Sequence, residues 1–123
     1  MSAITAFFER LAATDHDPRF DKVQGSIRFD IRDGDQVQRW RLDIDHGRLR
    51  VRQDDGPAGT VIKVSAQVAE SMALGEMNGL AGITRGAILV DGDLSLALRV
   101  GKLFPSQVEA RQGAQAAPTK VTG

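Results

Sequence analysis

The stretch GSIRFDIRDGDQVQRWRLDIDHGRLRVRQDDG, residues 25–56, decides the fold, because its apolar residues recur at every second position. Ile27, Phe29 and Ile31 alternate with Arg28, Asp30 and Arg32. Gln38, Trp40, Leu42 and Ile44 alternate with Arg39, Arg41 and Asp43, and Leu49 and Val51 with Arg48, Arg50 and Arg52. A period of two sends neighbouring side chains to opposite sides of a sheet, so this stretch reads as three strands, each with a dry and a wet face. Asp33-Gly34 and His46-Gly47 supply the turns.

The pairing register can be worked out on paper. A two-residue loop at His46-Gly47 sets Asp45 opposite Arg48 and Asp43 opposite Arg50 on the wet side. On the dry side it sets Ile44 opposite Leu49 and Leu42 opposite Val51. A turn over 33–36 sets Asp30 opposite Arg39 and Phe29 opposite Trp40. Opposite charges and like apolar groups thus face each other, as cross-strand energetics prefers, and a one-residue slip destroys both matches. The three strands form a meander.

Working outward, residues 2–13 carry Ile4, Phe7, Phe8 and Leu11 at helical spacing, with Ser2 as cap. Asp15 to Pro18 ends that helix, since the residue before a proline is pushed out of the helical region. GTVIKVS (59–65) reads as a fourth strand with Ile62 and Val64 inward. Ser65 caps a short helix through Leu74, stopped by Gly75. Met77, Leu80 and Ile83 keep helical spacing through 76–86, loosened by Gly79 and Gly82, and AILVDG (87–92) is a fifth strand with Ile88 and Val90 inward. Residues 106–123 hold almost nothing large to bury and read as a flexible tail after a 1–105 domain.

The segment DGDLSLALRVGKLFP (91–105) alternates like a strand yet carries helix formers, a capping Asp93 and a stopping Pro105. As a strand it would end in Gly101, which supports neither strand nor turn well. As a helix it places Lys102 near the negative end of the dipole, and we read 94–104 as a helix. Ser95, Arg99 and Lys102 fall in one narrow arc, while Leu94, Leu96, Ala97, Leu98, Val100, Leu103 and Phe104 cover the rest. A helix this apolar must meet core on one side and another apolar body on the other: a helix, a partner chain or a ligand.

Composition bounds the function. The chain has 123 residues, 41% apolar and 26% charged, with sixteen cations balanced by sixteen carboxylates. That is one soluble domain without a global field for nucleic acid. The arginines of the second and third strands are diluted by Asp30, Asp43 and Asp45 and lack interleaved exposed aromatics, so a salt-bridged sheet face is expected and no nucleic-acid partner. With no cysteine, disulfides and thiolate chemistry are excluded, and a cytoplasmic location is expected. Glu9 and Arg10 interrupt any signal-peptide core, and no apolar run reaches the ~20 residues of a membrane span.

The motifs that carry chemistry have structural explanations. Asp91/Asp93, Asp33/Asp35 and Asp43/Asp45 read as cap, turns and partners of arginine. His16 and His46 lack a third ligand at metal spacing, and Lys102 stands where a calcium loop needs its bidentate glutamate. No P-loop, dinucleotide or GxSxG motif occurs. No catalytic residue, metal or cofactor is expected.

The order of elements, with GSIRFDIRDG, RWRLDIDHGRLRV, VIKVSAQVAESMALGEMNGL and GAILVDGDLSLALRVGKLF, resembles the sterol carrier protein-2 family over about residues 4–104. The resemblance implies an α+β fold: a five-stranded, largely antiparallel sheet covered on one face by helices, with an apolar, lipid-holding tunnel between sheet and helices. The C-terminus lacks the peroxisomal signal that some members carry.

On that basis the expected ligand-binding residues are Phe29, Trp40, Met72, Met77, Leu80, Ile83, Leu94, Leu98 and Phe104, around a cavity of about a few hundred Å³. The expected partner is a hydrophobic small molecule: a fatty acyl, sterol-like or isoprenoid lipid, with transient contact at a membrane surface. The Gly-rich 75–86 segment and the last helix would gate it. The alternative is a non-catalytic accessory or dimerisation module, pairing through its apolar helix with a second copy or with an enzyme acting on lipophilic substrates.

Overall fold

The computed structural model of the protein describes residues 2–105. Helix α1 (Ala3–Ala12) is followed by a 3₁₀ turn (Pro18–Phe20) and strands β1 (Gln24–Asp33), β2 (Gln36–Asp45), β3 (Arg48–Gln53) and β4 (Thr60–Ser65). Helices α2 (Ala66–Ala73) and α3 (Gly79–Thr84), strand β5 (Ile88–Asp91) and helix α4 (Leu94–Gly101) complete it. The expected tail at 106–123 lies outside the described residues.

The five strands form one sheet in the order β3-β2-β1-β4-β5. Both hairpins take the expected register, with Phe29 opposite Trp40, Asp30 opposite Arg39, Ile44 opposite Leu49 and Asp43 opposite Arg50. At the second turn His46 and Gly47 both have positive φ, at 50° and 92°, the twist that a two-residue hairpin loop needs. Gly47 is required for a second reason: a Cβ there would run into the His16 ring and the Asp21 carboxylate.

The register is as read, but the ion pairs are not all directly across it. Asp43 takes Arg41 at 3.0 Å within its own strand and Arg52 at 3.1 Å on the diagonal, and no ion pair joins it to Arg50. Asp45 turns to His46 at 2.7 Å. Long guanidinium stems reach i+2 and diagonal carboxylates as readily as the residue opposite, so facing positions do not dictate pairs.

β4 runs parallel to β1, and the remaining neighbours are antiparallel. The chain must therefore cross from the β3 edge to the far side of β1. Two arginines of the wet face hold that crossing: Arg41 donates to the Pro57 carbonyl, and Arg28 to the Gly56 carbonyl at 3.1 Å. Arg28 is itself held by Asp30 at 2.8 Å, which raises its pKa above the usual guanidinium value. The arginine ladder is thus a salt-bridged clasp on a structural loop.

The helices cover the other face. Ser2 caps α1 by accepting from the Thr5 N–H at 3.2 Å, and the next two amides, of Ala3 and Ile4, donate to the Glu70 carboxylate of α2 at 2.7 and 3.1 Å. A carboxylate at the positive end of a helix dipole fastens α1 to α2. Ser65, Asn78 and Asp93 cap α2, α3 and α4 in the same way. Two helices are shorter than the sequence suggests. Within 76–86 only Gly79–Thr84 is helical, and α4 ends at Gly101, leaving Leu103 and Phe104 in turns. Glycines at both places remove the side chains and the backbone restraint that would extend the helix.

Between sheet and helices lies an aromatic core. Phe8 stacks on Trp40 at 4.9 Å and meets Phe29 edge-on at 5.2 Å; Phe7 stacks on Phe104 at 4.1 Å. These contacts tie α1, the sheet and the segment after α4 into one cluster.

Candidate ligand cavity

The candidate site is the apolar space where this layer of helices meets β1, β4 and β5. Its floor is Phe29, Ile31, Ile62, Val64, Ile88 and Val90, the inward residues of those strands. Its roof is Ile4 of α1, Ala69 and Met72 of α2, Ile83 of α3 and Ala97 and Val100 of α4, with Phe104 closing one side. No polar group faces it. A space so lined offers a guest only dispersion and escape from water, and holds no group for acid–base or nucleophilic chemistry.

Gly79 of α3 and Gly101 of α4 also line the space, and the two helices meet there backbone to backbone. A Cβ on Gly79 would lie 3.8 Å from the Gly101 Cα, and one on Gly101 4.0 Å from the Gly79 Cα. No side chain comes within 4 Å of either glycine's Cβ position.

The space has a volume of about 20 Å³, and one water needs about 10–15 Å³ on this measure. The expected cavity of a few hundred Å³, and the tunnel, are therefore not open in this structure. Met72, Ile83 and Phe104 fill the volume between the layers, as close packing demands of an apolar interior.

Four of the nine expected site residues line this space: Phe29, Met72, Ile83 and Phe104. Trp40 does not; it is buried under Phe8, its indole Nε1 without a hydrogen-bond partner in the protein. Met77 is half-buried, its sulfur beside the bare face of Gly82, and Leu98 is half-buried on α4. Leu80 and Leu94 face solvent, 59% and 47% exposed. The wall instead includes Ile62, Val64, Ile88 and Val90, whose inward alternation marked them as core, and Ile4, which belongs to the α1 stripe.

The polar groups outside the cavity are engaged structurally. Asp17 caps the 3₁₀ turn, and its hydrogen bond from Arg19 holds its carboxyl below the usual range. The Gly56 N–H and then the Arg52 guanidinium do the same for Asp54. His16 pairs with Asp21 at 2.8 Å, and no group of three metal-binding side chains occurs among the described residues. No helix among them is long and apolar enough to cross a membrane.

Solved structures share this architecture. The palmitated sterol carrier protein 2-like 2 of Aedes aegypti superposes with a TM-score of 0.67 at 22% identity, over 84% of this chain and 94% of that one. Apo sterol carrier protein 2 from Yarrowia lipolytica gives 0.58 at 18%, over 72% and 85%. The inverting sec-alkylsulfatase Pisa1 from Pseudomonas sp. gives 0.60 at 20%, over 79% of this chain but 15% of that one. A comparison with curated protein sequences returns no significant match. The model of the SCP-2 sterol transfer family, whose members are lipid-binding domains, matches residues 4–105, from the first turn of α1 to the residue after Phe104. That span contains every element around the apolar space, and the chain belongs to the SCP-2 sterol transfer family.

Proposed function

We propose that this chain binds one lipid, of fatty acyl, sterol-like or isoprenoid type, between the sheet and the helices, and carries or presents it without chemical change. The observation that carries the reading is a wholly apolar space whose roof meets at a seam of two glycines. Each methylene moved there from water contributes about 0.8 kcal/mol, so affinity needs no polar contact and selectivity for the tail is loose.

The gate is the glycine-punctuated 75–86 segment together with α4. Moving α3 off α4 at Gly79 and Gly101 enlarges the space, and at the seam itself only backbone has to part. Phe29, Met72, Ile83 and Phe104 would then face the guest, with Met77 and Leu98 joining the widened wall. Leu80 and Leu94, exposed beside the gate, would make transient contact with a membrane surface, and Trp40 would report binding only through Phe8. The protein would act in the cytoplasm.

A second reading has one observation in its favour: the same fold makes up 15% of the chain of an alkylsulfatase. In that reading the domain assists a partner enzyme or pairs with itself through exposed Leu74, Leu80 and Leu94. Mass spectrometry of the purified protein, native and then after organic extraction, separates the two. A stoichiometric lipid that leaves on extraction is expected. A bare chain with a clean dimer mass would transfer the conclusion to the accessory module.

A further inference from the structure

The two helices that meet at the glycine seam are held to the rest of the molecule very differently. Helix α4 is fixed at three points. Leu96 seats against the bare face of Gly25 in β1, 2.9 Å from where a Cβ would stand. The Asp93 N–H donates to the hydroxyl of buried Thr60 in β4 at 3.0 Å. Just past the helix end the Lys102 carbonyl accepts from Arg19 at 3.3 Å. Leu96, Ala97 and Val100 are buried.

Helix α3 is held by much less. Its one buried residue is Gly82. Among the described residues, the hydrogen bonds of 77–86 reach no further along the chain than Ala87. The segment is bounded by Gly75 and Gly86, both at φ 77°, a conformation open to glycine and strained for other residues. A Cβ at Gly86 would meet nothing within 4 Å. Two such joints, flanking a segment with no polar tie to the sheet or to α4, make a hinged strap.

Of the side chains on that strap, only Ile83 lines the apolar space. We infer that 75–86 lifts as one lid against a stationary α4, and that Ile83 is its stopper, the residue that sets how readily a tail enters. In the closed protein the Ile83 side chain takes up volume that a guest needs. As the lid lifts, Ile83 is withdrawn with the backbone that carries it, and the tail takes its place. Gly79 parts from Gly101 in the same movement, while the clamped α4 remains a fixed wall that presents Ala97 and Val100. The inference rests on the lipid-binding reading and names the moving part and the residue that controls loading.

Hydrogen–deuterium exchange of the full chain, resolved by residue, tests the lid. The amides of 82–86 are expected to exchange about tenfold or more faster than those of 97–101, as befits a segment that opens on its own. Ile83→Ala removes the stopper. It should speed exchange in 82–86 further, leave 97–101 unchanged, and tighten palmitate binding in calorimetry about tenfold, because the tail no longer displaces the larger side chain. Should Ile83→Ala lose cooperative melting, Ile83→Val carries the same comparison with a smaller step. Equal protection of the two helices, or exchange of both rising together in the variant, overturns the lid. A folded variant that binds palmitate no tighter than wild type overturns the stopper. If neither protein binds palmitate, the lipid-binding reading falls and the stopper with it, while the exchange pattern still decides the lid.

Discussion

The glycine seam lends itself to a covalent lock. Replacing Gly79 and Gly101 by cysteine introduces the only two thiols in a chain that has none. The Cβ positions approach the opposing Cα atoms to 3.8 and 4.0 Å, a spacing compatible with the Cβ–Cβ distance of about 3.5–4.5 Å in disulfides. Closing a loop of about 20 residues contributes about 3 kcal/mol through the unfolded chain, equivalent to roughly 10 °C or more in melting temperature for a domain of this size. The oxidised protein should therefore be the more stable form and yet the inactive one, because the space stays near 20 Å³. Excluding even eight methylenes at about 0.8 kcal/mol each forfeits about 6 kcal/mol, some four orders of magnitude in affinity. The assay is lipid titration by calorimetry before and after dithiothreitol, with the disulfide verified by mass. If the oxidised variant binds the same lipid as tightly as its reduced form, the entrance is not at α3–α4.

Three further outcomes are expected. Phe104 is buried and stacks on Phe7 at 4.1 Å, so Phe104→Ala should cost about 3–5 kcal/mol in urea denaturation; the same deletion widens the cavity, and lipid should recover part of that loss. Glu70 accepts two amides at the head of α1, and Glu70→Gln, which keeps the shape but not the charge, should lower stability by about 1 kcal/mol by the same method. Asp17 has a folded pKa below its unfolded one, because of Arg19. Its contribution is therefore complete above the unfolded value and is lost as pH falls through about 4 towards the folded value. Melting curves should show wild type and Asp17→Asn converging on acidification below pH 4, and a gap that does not narrow would contradict the assignment.

The legible part of the fold was the part written in charge as well as apolarity. In β1 to β3 every inward apolar residue has an arginine or aspartate beside it, so period, face and register follow together, and two turns of fixed length leave no slack. The caps Ser2, Ser65 and Asp93 were readable for the same local reason. The helical roof was less so. Met77, Leu80 and Ile83 share helical spacing, but Gly79 and Gly82 carry no side chain to say which face turns inward, and Leu80 ends outside. Leu94 matches the periodicity of α4, yet in its first turn it stays 47% exposed, while Ala97 and Val100 are buried. Trp40 lies on the correct face and misses the cavity because Phe8, thirty-two positions away in the chain, occupies the space above it. Such competition between elements distant in sequence leaves no mark in a local pattern.

The single parallel pairing also implies an expected order for assembly of the sheet. β1, β2 and β3 are joined by tight turns and close at little entropic cost, whereas pairing β1 with β4 brings together residues 33 positions apart, as between Ser26 and Gly59. The meander is thus the natural nucleus. β4, β5 and the α3–α4 roof are then expected to join later, with Arg28 and Arg41 holding the crossover loop in the folded chain. Late-formed elements with few interlocking side chains are those that open first under native conditions, on the scale that hydrogen exchange reports. For the proposed carrier, sub-global opening of the α3–α4 roof would give a lipid a way in without unfolding the sheet.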